Sequence, residues 1–373
     1  MNRRAEFLER VNRVVVKVGS QVVAPEGRLN ERALDGLCDG LLALRGRGID
    51  VVLVTSGAVA AGARLLGLRE RPKTIPLLQA SAAAGQAAII QSYGDRLRPR
   101  DQPVAQILLT ADDVRDRRRF INARNTFSSL LSLGVVPIVN ENDTVAVEEI
   151  KLGDNDRLSS LVANLIEAQL LIVLSDVDGF YDADPRNSPT ARRYGFIEEV
   201  SKAHLAQAGP TSSGAGLGGM ATKLEAARQA ALCGAATVIA KGDSPRVLEQ
   251  IMDAEEIGTW FAAGESMSKR KHWIAFSSDP RGSVVLDAGA VEALMVRNKS
   301  LLPSGIVRVL GSFARGETIR IADQEGTEIG RGLAGYSSHD LDRIRGRRSS
   351  EIESLLGYKY FDEAIHRDNL VLI

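Results

Sequence analysis

Two lysines, far apart in the chain, stand where an anion could be held. Lys17 lies near the end of the apolar run Val14–Val18 and is followed by Gly19 and Ser20, so an ammonium and a flexible backbone meet at what reads as a strand end. Lys223 lies in GAGLGGMATKLEAA, where Gly214, Gly216, Gly218 and Gly219 run into a helical pattern. A lysine in the first turn of a helix opposes the macrodipole, by about 0.3–1 kcal/mol when exposed. A phosphate about 4 Å away would return about 4 kcal/mol at an effective dielectric near 20, so the attraction outweighs the dipole penalty wherever an anion is bound. The bland reading of each is also open: a solvated strand end for Lys17, and a mobile glycine-rich loop with a solvated lysine for Lys223.

A third candidate is Thr55-Ser56-Gly57, at the end of the run Asp50–Ser56. The following AVAAGARLLG reads as a helix whose first N–H groups would favour a carboxylate or phosphate, unless Ser56 is simply its N-cap. The fourth is acidic: IVNENDTVAVEEIKLGDNDRLSSL gathers Glu141, Asp143, Glu148, Glu149, Asp154 and Asp156. An EF-hand is excluded, because GDND lacks the glycine at position six and the glutamate at position twelve. Two readings stay open. Either Asp154 or Asn155 caps the helix that carries LSSLVANLI, or the carboxylates face a cationic group and orient lysines that hold phosphates. Other motifs fail on context. Gly214-x-Gly216-x-x-Gly219 spells a dinucleotide fingerprint, yet PTSSG precedes it where a strand is required. His366-Arg367-Asp368 mimics a protein-kinase catalytic loop but lies at the C-terminal end, without the lysine strand or DFG.

The elements that must position these residues alternate. Short apolar, β-branched runs predict strands at Val14–Val18, Asp50–Ser56, Val104–Thr110, Val135–Asn140, Leu170–Asp176 and Ala236–Lys241. Helices are predicted at Leu29–Arg45, Ile75–Leu97, Asp154–Glu167 and Ala221–Cys233. The expected fold class is therefore α/β, a mainly parallel sheet flanked by helices on both faces, with ligands beyond the carboxyl ends of the strands. Near 262–271 the polar GESMSKRK signals a connection. Past it, GIVRVLG and ETIRIAD with glycine-rich turns and one helical stretch around Asp340–Arg345 predict a small, mostly β domain. The expected division is 1–261, a linker at 262–281, and 282–373.

Composition narrows the function classes. Lys and Arg number 47 and Asp and Glu 47, so no global field draws nucleic acid or acidic membranes and any anion must be bound locally. The two cysteines, Cys38 and Cys233, sit in apolar helical stretches and read as small buried hydrophobes, not as a disulfide or metal framework. MNRRAEFLERV carries charges where a signal peptide needs an apolar core, and no run reaches the length of a membrane span, so a cytoplasmic location is expected.

The order of these pieces resembles the amino acid kinase family, specifically its glutamate-phosphorylating branch. The strings that carry it are VVVKVGS, VTSGAVAAG, LLTADD, RFINARNT, VPIVNENDTVAVEEIKLGDND, LSDVDGFYDADPR, GLGGMATKLEAA and LLPSGIVRVLGSFARGE, in order along nearly the whole chain. The C-terminal part resembles a PUA domain, a fold named from RNA-modifying enzymes. The resemblance implies transfer of phosphate from ATP, with Mg²⁺, to the γ-carboxylate of L-glutamate, making γ-glutamyl phosphate on the way to proline. By the same resemblance Lys17 and Lys223 contact the ATP phosphates and the moving group, and Asp156 orients them. Ser56, Asp143 and Asn155 hold glutamate, while Ser175, Asp176 and the loop Leu217, Gly218, Gly219, Met220, Ala221, Thr222 and Lys223 hold the nucleotide. No metal ligand from the protein is implied. Ser175 stands where many relatives carry threonine, which keeps the hydroxyl; Leu217 stands where a threonine or another small residue is common. The resemblance also implies a homo-oligomer (dimer or tetramer), feedback inhibition by proline and a hand-off to a glutamyl phosphate reductase. Rival acceptors within the family are acetylglutamate, aspartate and a nucleoside monophosphate; Asp143 and its neighbours suit a free α-ammonium, from which an acetylated amine or a nucleotide would gain little. A rival from another class is RNA binding by the tail, but residues 282–373 hold twelve Lys and Arg against thirteen Asp and Glu, a net of −1, so no tight RNA binding is expected.

Overall fold

The computed structural model describes residues 3–145, 155–185, 187–188, 190–209, 219–264, 280–297 and 299–372. Two compact units divide the chain, Met1–Val114 with Arg118–Ser266, and Met267–Ile373 with Arg115–Arg117.

In the first unit eight strands form one sheet in the order β3-β4-β2-β1-β5-β7-β8-β6. They are β1 Arg13–Val18, β2 Asp50–Val54, β3 Val104–Leu109, β4 Val136–Glu141, β5 Leu170–Ser175, β6 Phe196–Ile197, β7 Ala236–Lys241 and β8 Thr259–Phe261. β1 to β5 and β7 pair in parallel, and β8 turns antiparallel to β7. The six predicted strands are these six. The two short edge strands, β6 and β8, were not predicted, because two or three residues display no period.

Successive residues of a strand face opposite sides, and here both sides are packed. Val14, Val16, Val51, Leu53, Leu170 and Ile172 enter one hydrophobic core with Leu37, Leu41, Ile89 and Tyr93. Val15, Val52, Val54, Leu171 and Val173 enter the other, with Leu158, Val162, Leu224 and Ala227. The first face is thus covered by helices Glu31–Gly46 and Ile75–Leu97, the second by Asp156–Leu165 and Met220–Leu232. This is the α/β arrangement expected, and the long helix has its predicted ends.

Helices Ala58–Leu65 and Ile75–Leu97 cross with their backbones in contact. A Cβ at Gly62 would lie 1.7 Å from the Ser81 carbonyl oxygen, and one at Gly85 1.9 Å from that of Ala58. Glycine alone permits this approach. The crossing locks the long helix to the segment that leaves β2 through Gly57, whose φ of 101° also requires glycine.

The second unit holds β9 Gly282–Leu286, β10 Ile306–Gly311, β11 Thr318–Ala322, β12 Glu328–Leu333 and β13 Leu370–Leu372, in the order β10-β9-β11-β12-β13. β9 and β11 are parallel, the other neighbours antiparallel. Val284, Leu286, Ile319, Ile321, Leu341 and Ile344 form its core. Helix Ser338–Ile344 matches the predicted stretch; helices Ala288–Met295 and Ile352–Leu356 are additional. Among the described residues no helix is long and apolar enough to cross a membrane. Among the described residues neither cysteine is in a disulfide, and burial pushes each thiol up to about 12.

Candidate active site

Lys17 shares strand parity with Val15, so its side chain rises from β1 on the face covered by helices Asp156–Leu165 and Met220–Leu232. There it pairs with Oδ1 of Asp156. Lys223, in the first turn of Met220–Leu232, places Nζ 3.1 Å from Oδ2 of the same carboxylate. Two lysines from opposite ends of the domain therefore converge on one aspartate, with relative exposures of 3% for Lys17, 6% for Lys223 and 0% for Asp156. Two ammonium groups thus share one carboxylate out of reach of water. Isolated buried charge costs several kcal/mol per ion, so such a cluster suits a site that receives an anion.

Local chemistry holds the cluster in place. Asp156 is the first residue of its helix, where the macrodipole favours an acid. The Thr222 hydroxyl, 2.8 Å from the Gly219 carbonyl, donates to Asp156 Oδ2 at 3.0 Å. Helix Met220–Leu232 begins at Gly219 with no side-chain cap, and Ala58–Leu65 begins likewise at Gly57. The first-turn N–H groups of both helices are thus left for other acceptors.

Asn155 stands at the N-cap of its helix, but its side chain makes no capping hydrogen bond; Asp154 lies outside the described residues. Its amide instead bridges two strand ends, donating to the Thr55 carbonyl and, at 2.7 Å, to Asn140 Oδ1. The register explains this reach: Val54 pairs with Val139, which sets Thr55 level with Asn140. Thr55 in turn meets the buried Tyr93 hydroxyl at 2.9 Å. Ser56 is buried next to Thr55, and Asp143 is half-buried in the turn after β4.

On the other side of β1, Ser175 ends β5 one residue past Leu174, the partner of Val18. Its hydroxyl donates to the exposed Asp176 at 2.9 Å. Of the glycine loop, Gly219 to Lys223 are described and lead into the lysine cluster, whereas Leu217 and Gly218 lie outside the described residues, as do Glu148 and Glu149 of the acidic segment. The structure thus joins Lys17, Asp156, Thr222 and Lys223 by direct contacts, and places Ser56, Asn155 and Ser175 at neighbouring strand ends. Sequence reasoning missed Gln86 and Asn140, and placed Thr55 at a strand end without a partner. Asn140 carried a signal, since it ends a predicted strand; Gln86 is a lone amide in the apolar AAAGQAAII.

The model of the amino acid kinase family matches residues 12–241, and that of the PUA domain residues 282–356. The protein named glutamate 5-kinase in Citrifermentans bemidjiense is 50% identical over 372 residues, covering 99% of this chain and 100% of that one. That of Syntrophotalea carbinolica is 50% identical over 370 residues, 99% of each chain. That of Thermus thermophilus is 49% identical over 360 residues, 96% of this chain and 97% of its own. With one model matching most of the chain and these relatives matching nearly all of it, the chain belongs to the amino acid kinase family, with a PUA domain at its C-terminal side.

Proposed function

We propose that this chain transfers the γ-phosphoryl group of ATP to the γ-carboxylate of L-glutamate, giving γ-glutamyl phosphate, the first step toward proline. The observation that carries this reading is the pairing of Lys17 and Lys223 on Asp156 at the carboxyl edge of the sheet. A carboxylate is already ionised at neutral pH, so the acceptor needs no general base. What remains is alignment and neutralisation of charge on the moving group, which dominate phosphoryl transfer.

In this reading Lys17 and Lys223 contact the phosphates, and Asp156 keeps both ammonium groups on one locus. Ser56, Asp143 and Asn155 hold glutamate. Ser175, Asp176 and the segment 217–223 hold the nucleotide, with the uncapped N–H groups at Met220 as donors. The Thr222 hydroxyl is already engaged by Asp156, so its part is to hold that carboxylate. Among the described residues no cluster of three or more His, Cys, Asp or Glu is built to ligate an ion. Mg²⁺ would arrive with the triphosphate, held by phosphate and water oxygens. We place the catalytic domain at 1–261 and the PUA domain at 282–373, and infer an oligomeric enzyme, inhibited by proline across the glutamate pocket, whose acyl phosphate passes to a reductase. We infer no tight RNA binding by the PUA domain.

Hydroxylamine traps acyl phosphates as hydroxamates, so the purified chain with ATP, Mg²⁺ and L-glutamate is expected to yield one. Turnover of acetylglutamate, aspartate or a nucleoside monophosphate, with none of glutamate, would remove the proposal.

A further inference from the structure

A chain of three buried amides joins helix Ile75–Leu97 to the ends of β4 and β2, and backbone groups fix the orientation of each. Gln86, on helix Ile75–Leu97, donates through Nε2 to the Glu141 carbonyl at 3.1 Å. A carbonyl only accepts, so the atom facing it must be the nitrogen and Oε1 is left to accept. Asn140 Nδ2 donates to that Oε1 at 3.0 Å, while Asn140 Oδ1 accepts from the Glu141 N–H at 3.0 Å, a group that only donates. Asn140 is thereby fixed as well. Its Oδ1 also accepts from Asn155 Nδ2, whose second hydrogen goes to the Thr55 carbonyl. All three amides are less than a tenth exposed.

The consequence falls on Asn155. Both of its N–H donors are spent, and its oxygen does not cap its own helix, so what it can offer a ligand is a hydrogen-bond acceptor. We propose that Gln86, which lies behind Asn140 in this chain, is a positioning residue for acceptor specificity: through Asn140 it holds Asn155 with its carbonyl oxygen toward the substrate, selecting the α-ammonium of the amino acid. This rests on the glutamate reading above.

The mechanism specifies how Gln86→Met should fail. Methionine keeps the length and removes both hydrogen bonds. Asn140 Nδ2 then loses its acceptor, so the Asn140 amide, which sets that of Asn155, is held by the Glu141 N–H alone. The test compares L-glutamate with 2-hydroxyglutarate, which keeps both carboxylates and replaces the ammonium by a hydroxyl that donates or accepts. With the full chain, kcat/KM for each is measured by ADP release and hydroxamate formation. The wild-type preference for glutamate is expected to shrink by about tenfold in Gln86→Met, as unmaking a buried hydrogen bond predicts. KM for ATP should hold steady. Gln86→Glu, whose carboxyl burial keeps protonated, can still donate to the Glu141 carbonyl and accept from Asn140 Nδ2, and should retain most of the preference. Asn140→Leu, which removes the anchor itself, should lose it, so misfolding of either apolar variant leaves the other to decide. A purely structural role for Gln86 would lower both substrates alike, and an unchanged ratio in the variants that fold overturns the inference. Absence of hydroxamate from wild type and glutamate would instead overturn the glutamate reading, a separate outcome.

Discussion

The two sheets bury different things. Along the carboxyl edge of the eight-stranded sheet, Lys17, Glu141, Asp156 and Lys223 are all less than a tenth exposed. In the second unit the buried polar residues among those described are Ser283 and Thr318, both uncharged, and its ion pairs, such as Arg297 with Glu292 and Lys359 with Asp362, stay at the surface. A domain assembled only to fold has no reason to take charges from water at several kcal/mol each. The first edge is therefore organised for a ligand, and the interior of the second for packing.

The sharpest way to break that contrast is Asp156→Asn. It leaves two buried lysines without their shared counter-charge, so the nucleotide-free enzyme should lose about 3–5 kcal/mol of stability. Turnover should fall by at least about 10²–10³-fold, the scale of losing one aligned charge-stabilising group. Saturating MgATP should raise the variant's melting temperature more than it raises that of the wild type, because phosphates replace the missing anion. A melting temperature equal to wild type without nucleotide would show that the cluster is not held by this carboxylate.

The opposite test belongs to the second unit. Tyr336 is fully buried, and its hydroxyl accepts from the N–H groups of Tyr360 at 3.1 Å and Phe361 at 2.9 Å and donates to the Phe361 carbonyl. Tyr336→Phe leaves those backbone groups unsatisfied and should cost about 1–3 kcal/mol in urea unfolding. Glutamate kinetics should stay within about twofold of wild type, as for a residue with no part in transition-state binding. A matching fall in kcat would erase the distinction between an edge built for a ligand and a core built for packing.

How much of this was legible in the sequence follows from what each element buries. The six long strands read clearly because both of their faces are covered, which turns VVVKV or LLIVLS into uninterrupted apolar runs. Helix Arg117–Ser132 was not predicted: RRRFINARNTF is so polar that its helical period scarcely shows, although Phe127 and Leu131 are buried. Lys17, Asp156 and Lys223 were found by type and position, at a strand end and in first helical turns. Their meeting was implied only by the family resemblance and not by any local pattern, since it depends on β1 lying next to β5 and on two helices sharing a face, and a strand order does not show in local periodicity. Gln86 escaped for a related reason. An amide within AAAGQAAII reads as a tolerated polar residue until Asn140 and Glu141 stand opposite it.

A smaller effect separates a carboxylate that works for folding from one that works for a ligand. Thr110 and Asp113 form a reciprocal box at helix Ala111–Arg115. Asp113 Oδ2 accepts from the Thr110 N–H and hydroxyl, both at 2.8 Å, and the Thr110 oxygen accepts from the Asp113 N–H at 3.2 Å. Partial burial pushes the Asp113 carboxyl up, but the hydrogen bonds from Thr110 and the Arg119 guanidinium at 2.9 Å outweigh it and hold the group below its ordinary value of 3.8. A carboxyl lowered by folding stabilises the protein fully above its unfolded value and loses that contribution as pH falls through the lower folded one. Asp113→Ala should therefore cost about 1 kcal/mol at neutral pH, as for a lost cap. The gap between variant and wild type in urea unfolding should narrow as pH is lowered below about 4. Catalysis should be untouched, because this acid, a quarter exposed, satisfies backbone donors, whereas Asp156, with no exposure at all, binds two cations.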